Sequence, residues 1–226
     1  MSDLTLLIPA HKESESLPVF LEELAKYTFK KLIVLQKEDQ ETINSIKDVQ
    51  NIEIYTQKRN GYGNALKEGI EKIQTDFFCI INADGSMDPK FLDEMLLLCK
   101  SKDMVFASRY LKGGGSDDDN IVTFVGNKSF SLIGNVLFNL NLSDILYTYI
   151  IGKTKKIKEL GLKYDDFRIC VEIPILAKMN NLNCTSLPSK ERKRIAGTKK
   201  VNALKDGFLI FTAIIALFFK KFFKPS

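Results

Sequence analysis

Along the first half of the chain, short runs of mostly apolar residues alternate with stretches in which apolar residues recur every three or four positions. The runs are Leu4 to Ile8, closed by Pro9, then Lys31 to Leu35, Ile52 to Tyr55, Phe77 to Ile81 and Met104 to Ser108. Each has the length and continuity of a buried strand. Helical spacing appears as Leu17, Leu21 and Leu24 behind a capping Ser16, as Ile43 and Ile46 in a polar stretch, and as Leu66, Ile70 and Ile73 within 63–73. It recurs as Phe91, Met95 and Leu98 after Pro89, a residue that suits a first helical turn. This alternation predicts an α/β fold, a mostly parallel central sheet layered between helices. Ligands of such sheets bind beyond the carboxyl ends of the strands. The segments after Ile8, Leu35 and Ile81 are therefore expected to share one crevice.

The second half is less regular. Gly113-Gly114-Gly115 followed by Asp117-Asp118-Asp119 predicts a mobile loop. Phe130, Ile133, Leu137 and Leu140 mark a helix that Ser143-Asp144 breaks, and Val171, Ile175, Leu176 and Met179 mark another. Asn183 to Pro188 reads as a short strand. A length of 226 residues accommodates one large domain with an appendage, here a main domain over 1–200 and a helix over 201–226. Eleven of the twelve residues from Phe208 to Phe219 are apolar. As a helix this run spans roughly 18 Å, too short for a hydrocarbon core about 30 Å thick. Lys205 before it and Lys220, Lys221 and Lys224 after it suit an amphipathic helix lying on a membrane surface. The competing reading is a helix packed on the domain, or on a second copy in a homodimer.

Composition is that of an ordinary globular chain, 45% hydrophobic and 27% charged, and a net charge of +5 gives no reason to expect a nucleic-acid partner. The charge is uneven, however. Lys190, Arg192, Lys193, Arg194, Lys199 and Lys200 face the single acid Glu191 within 190–200. Such a run suits phosphate or anionic lipid, or else is a solvated loop. Cys79, Cys99, Cys170 and Cys184 form no CxxC pair and read as core thiols of a reducing compartment. The only histidine, His11, leaves little support for a His-rich metal site or a Ser-His-Asp triad. Met1 to Thr5 do not open a secretory leader. The expected location is cytoplasmic, peripheral on the inner face of the cytoplasmic membrane.

Candidate chemistry concentrates in residues 59–89. A glycine-rich turn and helix precede the strand that ends in Asn82-Ala83-Asp84-Gly85-Ser86. Oxygen ligands clustered at a strand end can hold Mg²⁺ or Mn²⁺ against a substrate diphosphate. The same residue types also make an Asx-type turn.

Five segments in order, LTLLIPAHKES, NGYGNALKEGI, FFCIINADGSMDP, VFASRYLKGGG and ERKRIAGTKKVNALKDGF, resemble family-2 glycosyltransferases of the GT-A fold. The resemblance is to the branch containing dolichyl- and polyprenyl-phosphate sugar synthases and their bacterial relatives. It implies an inverting transferase that moves a sugar from a nucleotide-diphosphate donor to a polyprenyl-phosphate or glycan acceptor. Pro9, Ala10 and Glu13 would line the nucleotide pocket, with Asn60, Gly61, Gly63 and Ala65 packing a helix beside it. Ala83 and Asp84 would meet the nucleotide, and Asp84, Asn82 and Ser86 would hold Mg²⁺ or Mn²⁺ on the diphosphate. Arg109 would bind phosphate, as would Arg192, Arg194 and Lys199 in a closing basic segment. Asp144 is the base expected for a hydroxyl acceptor, unless it only ends a helix or caps one. A lipid phosphate would need little base.

Three departures from the family pattern bear on this expectation. The acidic Asp-Asp-Gly-Ser after the second strand is replaced by Gln36-Lys37-Glu38-Asp39, which leaves Gln36 or Asp39 to meet the base. Asn82 stands where the family has an acid and brings no charge. The family's Asp-x-Thr-Gly-Phe/Tyr segment becomes Asp144-Ile145-Leu146-Tyr147-Thr148-Tyr149. Weakened acidic motifs also fit a domain that keeps the fold without catalysis, as a membrane-associated scaffold or subunit. A sugar-nucleotide nucleotidyltransferase would want a glycine-rich, basic signature after the first strand, which Pro9-Ala10-His11-Lys12 lacks.

Overall fold

Strands and helices alternate through the first half as the apolar pattern predicts: β1 (Leu4–Pro9), α1 (Ser16–Leu24), β2 (Lys30–Gln36), α2 (Gln40–Ser45), β3 (Glu53–Gln57), α3 (Tyr62–Lys72) and β4 (Phe77–Ile80). A 3₁₀ turn at Pro89–Phe91 leads into α4 (Leu92–Cys99) and β5 (Met104–Ser108). There follow β6 (Gly115–Ser116), α5 (Ile121–Phe138), β7 (Ile150–Lys153), α6 (Thr154–Glu159), α7 (Ile169–Met179), β8 (Cys184–Pro188), β9 (Lys190–Glu191) and α8 (Ala203–Phe222). This computed structural model describes residues 3–198 and 200–222, with the backbone alone at Phe222.

The main sheet has the order β3-β2-β1-β4-β7-β5-β8. Its pairs are parallel except those of β7, which runs antiparallel to β4 and β5. Strand order turns around between β1 and β4, so the loops leaving these two strands diverge and open a crevice. Side chains alternate between the two faces of a strand. Leu7, Leu32, Val34, Phe78, Ile80 and Phe106 pack with α3, α7 and α8 in one core. Leu6, Ile8, Ile33, Leu35, Cys79 and Val105 pack with α1 and α4 in the other. Each large side chain so buried contributes roughly 1.5–3 kcal/mol, which fixes the strand ends that carry the site.

Several elements differ from expectation. Ser16 is not the cap of α1 but lies in its first turn, where its hydroxyl donates to Glu13 Oε2 at 2.5 Å. α5 starts at Ile121 rather than near Phe130, held by a capping box in which Asn120 and Thr123 bond each other's backbone. It ends at Phe138, with Asn139 left-handed at φ 54°, well before Asp144. β7 and α6 were not anticipated. In α8, Ile210, Ala213, Ile214 and Leu217 are buried in the first core, the spacing of an amphipathic helix. Lys224 lies outside the described residues.

Candidate functional site

A cleft of ≈ 830 Å³ opens beyond the carboxyl ends of β1 and β4. It shares His11, Lys12, Glu13, Gln36 and Gly197 with an adjoining hollow of ≈ 690 Å³ that also includes Asp39. Pro9 and Ala10 line the cleft where β1 ends, and Ala10 N–H donates to the Val34 carbonyl at 2.9 Å. The chain then turns at Lys12, with φ 54°, whose N–H donates to Asp39 Oδ2 at 2.6 Å. Asp39 also caps α2. The loop after β1 is thus tied to the start of α2, with Gln36 on the cleft wall and Asp39 already engaged.

At the entrance to α3, close backbone approach decides the residue types. Gly61 has φ 116°, and a Cβ there would stand 2.3 Å from the Asp165 carbonyl oxygen. A Cβ on Gly63 would meet the Tyr164 oxygen at 2.4 Å. The bare first turn lets residues 164–165 press against it, and Gly61, Tyr62 and Ala65 line the cleft. Tyr62 Oη donates to Asn82 Oδ1 at 3.2 Å and pairs with Thr148 Oγ1 at 2.7 Å. Burial raises the Tyr62 pKa, so the phenol stays neutral. Asn60, expected beside the nucleotide, is instead exposed and off the cleft wall, its carbonyl accepting from Asn64 Nδ2 at 2.8 Å.

The end of β4 presents Asn82, Ala83, Asp84 and Ser86 to the cleft. Asp84 Oδ1 accepts from Ser86 N at 3.0 Å and Ser86 Oγ at 2.7 Å, an Asx turn that aims the carboxylate. Gly85 has φ 72°, and a Cβ on it would lie 2.4 Å from Ile195 Cδ1. The metal reading and the Asx-turn reading therefore describe one object. Asn82, Asp84 and Ser86 offer oxygen donors only, which suits a hard divalent ion. Among the described residues no three His, Cys, Asp or Glu side chains gather as a metal cage. These residues fit an ion whose remaining ligands are substrate phosphates.

The basic segment folds over this strand end. Arg192 N–H donates to the Ser86 carbonyl and Ile195 N–H to the Asp84 carbonyl, both at 2.8 Å. Arg194 reaches Asp118 at 2.8 Å and lies 3.4 Å from Asp84 Oδ2. Lys200 pairs with Glu13. Arg192 departs from its expected place. Its guanidinium forks onto both Glu23 oxygens at 2.9 Å and onto the Gly85 carbonyl, and it is not on the cleft wall. It fastens the segment rather than meeting phosphate. Lys199 lies outside the described residues.

Arg109 and Asp144 are brought together, but against each other. Arg109 Nε and Nη2 donate to Asp144 Oδ2 and Oδ1 at 2.7 and 2.9 Å. Asp144 is 1% exposed and off the cleft wall, whereas Arg109 is on it. A carboxylate with both oxygens taken by a buried guanidinium is not placed to accept a proton from an acceptor, so the base expected at Asp144 is corrected to a residue that orients Arg109. Arg109 Nη1 also lies 3.2 Å from Glu191 Oε2, and its guanidinium stands over the Tyr147 ring at 4.6 Å. Glu191 lines the cleft, accepts from Ser116 Oγ, and is pushed above the usual carboxylate range by burial, against the pull of Arg109. Sequence reasoning counted Glu191 only as the acid diluting a basic run. Its one signal was that it opens the segment ERKRIAGTKK.

The chain matches the profile of Glycosyl transferase family 2 over residues 5–161, which includes the ends of β1, β2, β4 and β5 but not β9, where Glu191 lies. An uncharacterized glycosyltransferase of Mycobacterium bovis is 29% identical over 107 residues, 46% of this chain and 48% of that protein. An uncharacterized glycosyltransferase of Mycobacterium tuberculosis aligns with the same values, 29% over 107 residues. The chain matches about half the length of these curated relatives. Among solved structures, glucosyl-3-phosphoglycerate synthase from Mycobacterium tuberculosis in complex with uridine diphosphate has a TM-score of 0.72 at 12% identity, covering 95% of this chain and 79% of that one. The same enzyme with Mn²⁺, UDP-glucose and phosphoglyceric acid gives 0.70 at 13% identity, covering 99% and 80%. These likenesses show the layered GT-A fold. With the profile covering more than half of its length, the chain belongs to Glycosyl transferase family 2.

Proposed function

We propose that this protein is a glycosyltransferase that takes its sugar from a nucleoside diphosphate donor bound in the cleft and passes it, with inversion, to a polyprenyl-phosphate or glycan acceptor. The observation that carries the reading is the convergence of Glu13, Asn82, Asp84, Arg109 and Arg194 around one cleft at the divergence of β1 and β4. Structural neighbours that bind UDP-glucose with Mn²⁺ support it. The nucleoside would lie along Pro9, Ala10, Gln36 and Gly61. Asp84, Asn82 and Ser86 would hold Mg²⁺ or Mn²⁺, which supplies positive charge for the leaving diphosphate.

Arg194 and Lys200 are set to exchange their carboxylate partners for phosphate oxygens, where a planar guanidinium gives bidentate contacts. Arg109, fixed by Asp144, adds cationic charge to the same cleft. The acceptor oxygen attacks the anomeric carbon from the face away from the diphosphate. The new carbon–oxygen bond forms as the carbon–diphosphate bond breaks, and the electron pair leaves on the diphosphate. With a hydroxyl acceptor the proton passes to Glu191, whose raised pKa suits a general base. An acceptor phosphate is already anionic and bypasses that step.

Calorimetry with UDP, GDP and their sugars, with and without Mn²⁺, tests the reading. One nucleotide should bind clearly better, and better still with metal. Failure of all of them to bind would favour a scaffold that keeps the fold alone.

A further inference from the structure

We infer that α5 and α8 together form a docking face for an anionic lipid bilayer, placed so that the cleft opens at the lipid surface. This goes beyond the donor assignment and does not depend on it. α5 has a mean hydropathy of 1.3 over 18 residues, yet only 17% of it is buried. Its inner face, with Ser131, Gly134 and Phe138, belongs to the fold. Its outer face carries Ile121, Val125, Leu132 and Val136, the last 74% exposed. These positions recur at helical spacing, so they form one stripe. α8 repeats the arrangement, with Leu204, Phe208, Phe211 and Phe219 exposed, Leu204 to 88%.

The two stripes are neighbours. A Cβ on Gly207 would lie 3.9 Å from Phe130, and the Phe218 and Phe138 rings meet edge to face at 6.0 Å. The helices therefore run side by side in the same direction, and both rest on α7. A contiguous apolar face of this kind needs a cover. Charge selects which one. α5 carries Lys128 and no acid, and α8 carries Lys205, Lys220 and Lys221 against Asp206 alone. A second copy would bring like charges together, whereas an anionic surface neutralises them. α5 is long enough to span a bilayer, but its inner face is committed to the core, so it lies flat with its outer stripe in the interface.

The same helices build one wall of the site. Thr123 and Asn127 of α5 and Ile210 of α8 line the cleft, with Val201 just before α8. An acceptor held in the bilayer would enter between the two helix starts.

Flotation of the full chain with vesicles tests the inference. The protein should float with mixed phosphatidylcholine–phosphatidylglycerol vesicles, and much less with phosphatidylcholine alone or in high salt. Replacing Lys220 and Lys221 by Gln should weaken partition about fivefold per lysine. Leu132→Gln with Val136→Gln should abolish flotation while the circular dichroism spectrum and melting temperature stay unchanged. Since both residues point outward, loss of fold is not expected. Phe208→Gln provides an independent check from α8. Absence of flotation with mixed vesicles overturns the inference. So does a concentration-dependent dimer in sedimentation that the same glutamine substitutions dissociate, because a second copy would then be the cover.

Discussion

Arg109 and Asp144, 35 residues apart in sequence, face each other as a fork on a fork, with the Arg109 backbone N–H adding a third bond to Asp144 Oδ2 at 3.2 Å. The pair joins the end of β5 to the segment that leads into β7. Both side chains are buried, so each is the other's main compensation for lost water. Removing one partner of a buried pair typically costs about 3–5 kcal/mol. Asp144→Ala should therefore lower the chemical-denaturation free energy by an amount in that range. The double substitution Asp144→Ala with Arg109→Met should cost less than the sum of the single changes. Additive losses would show that the pair does not stabilise the fold as a unit.

Metal dependence should reside at Asp84. Asp84→Ala is expected to remove the gain in nucleotide affinity that Mn²⁺ gives, while weak metal-free binding remains. Asn82→Asp adds a charge to the all-oxygen donor set and should tighten Mn²⁺ binding, although it replaces the amide oxygen that accepts from Tyr62. Titration calorimetry of the two variants reads both effects. Equal Mn²⁺ enhancement in Asp84→Ala and the parent protein would remove Asp84 from the metal site.

Arg192 and Arg194 sit two residues apart and should behave differently. Arg194→Ala should raise the donor dissociation constant roughly tenfold or more, the scale of one lost charge-assisted hydrogen bond of about 1.5–3 kcal/mol, with little change in thermal stability. Arg192→Ala loses a half-exposed pair with Glu23 and two bonds to the Gly85 carbonyl. It should loosen the segment to limited proteolysis more than it weakens affinity. Identical binding losses in the two variants would contradict the division of labour.

Glu191 offers a pH signature. Its folded pKa is raised above its unfolded value by burial, so folding favours the protonated form. Its contribution to stability is full below the unfolded pKa and is lost as pH rises through the folded one. Glu191→Gln should match the parent protein in acid and exceed it in melting temperature as pH rises above the ordinary glutamate range. The same substitution should abolish transfer to a hydroxyl acceptor. A melting difference that does not change with pH would place Glu191 outside this account.

The strands of the first half were legible because a sheet covered on both faces needs nearly continuous apolar runs, and 4–8, 32–35 and 77–81 have them. β7 was not, because Ile150-Ile151-Gly152-Lys153 follows the aromatic segment Tyr147-Thr148-Tyr149 without a turn residue to mark its start. The first turns of α5 were missed for the opposite reason. Their apolar residues point outward, so no inward periodicity announces them. Asp84 and its turn could be read as a local pattern. The Arg109–Asp144 pair could not, because partners so distant meet only once β7 lies between β4 and β5. Arg192 and Arg194 look alike in a basic run, and only the positions of Glu23 and Asp118 separate them.

The placement of β7 also sets an order of events at the ribosome. β1 to β4 can pair as soon as they emerge. β5, complete at Ser108, has β7 and β8 as its sheet neighbours, and the first of these begins at Ile150, 150 − 108 = 42 residues later. At about 5–20 residues per second of synthesis, roughly 2–8 s pass in which β5 has made its last residue and has no strand beside it. Through that interval β4 also presents one open side, with the apolar residues Phe78 and Ile80 already made. The antiparallel hairpin-free insertion of four residues is thus the step that joins the two halves of the nascent sheet. Translation stalled between Ser108 and Ile150 should leave a chain that chaperones hold and that protease cuts beyond β4.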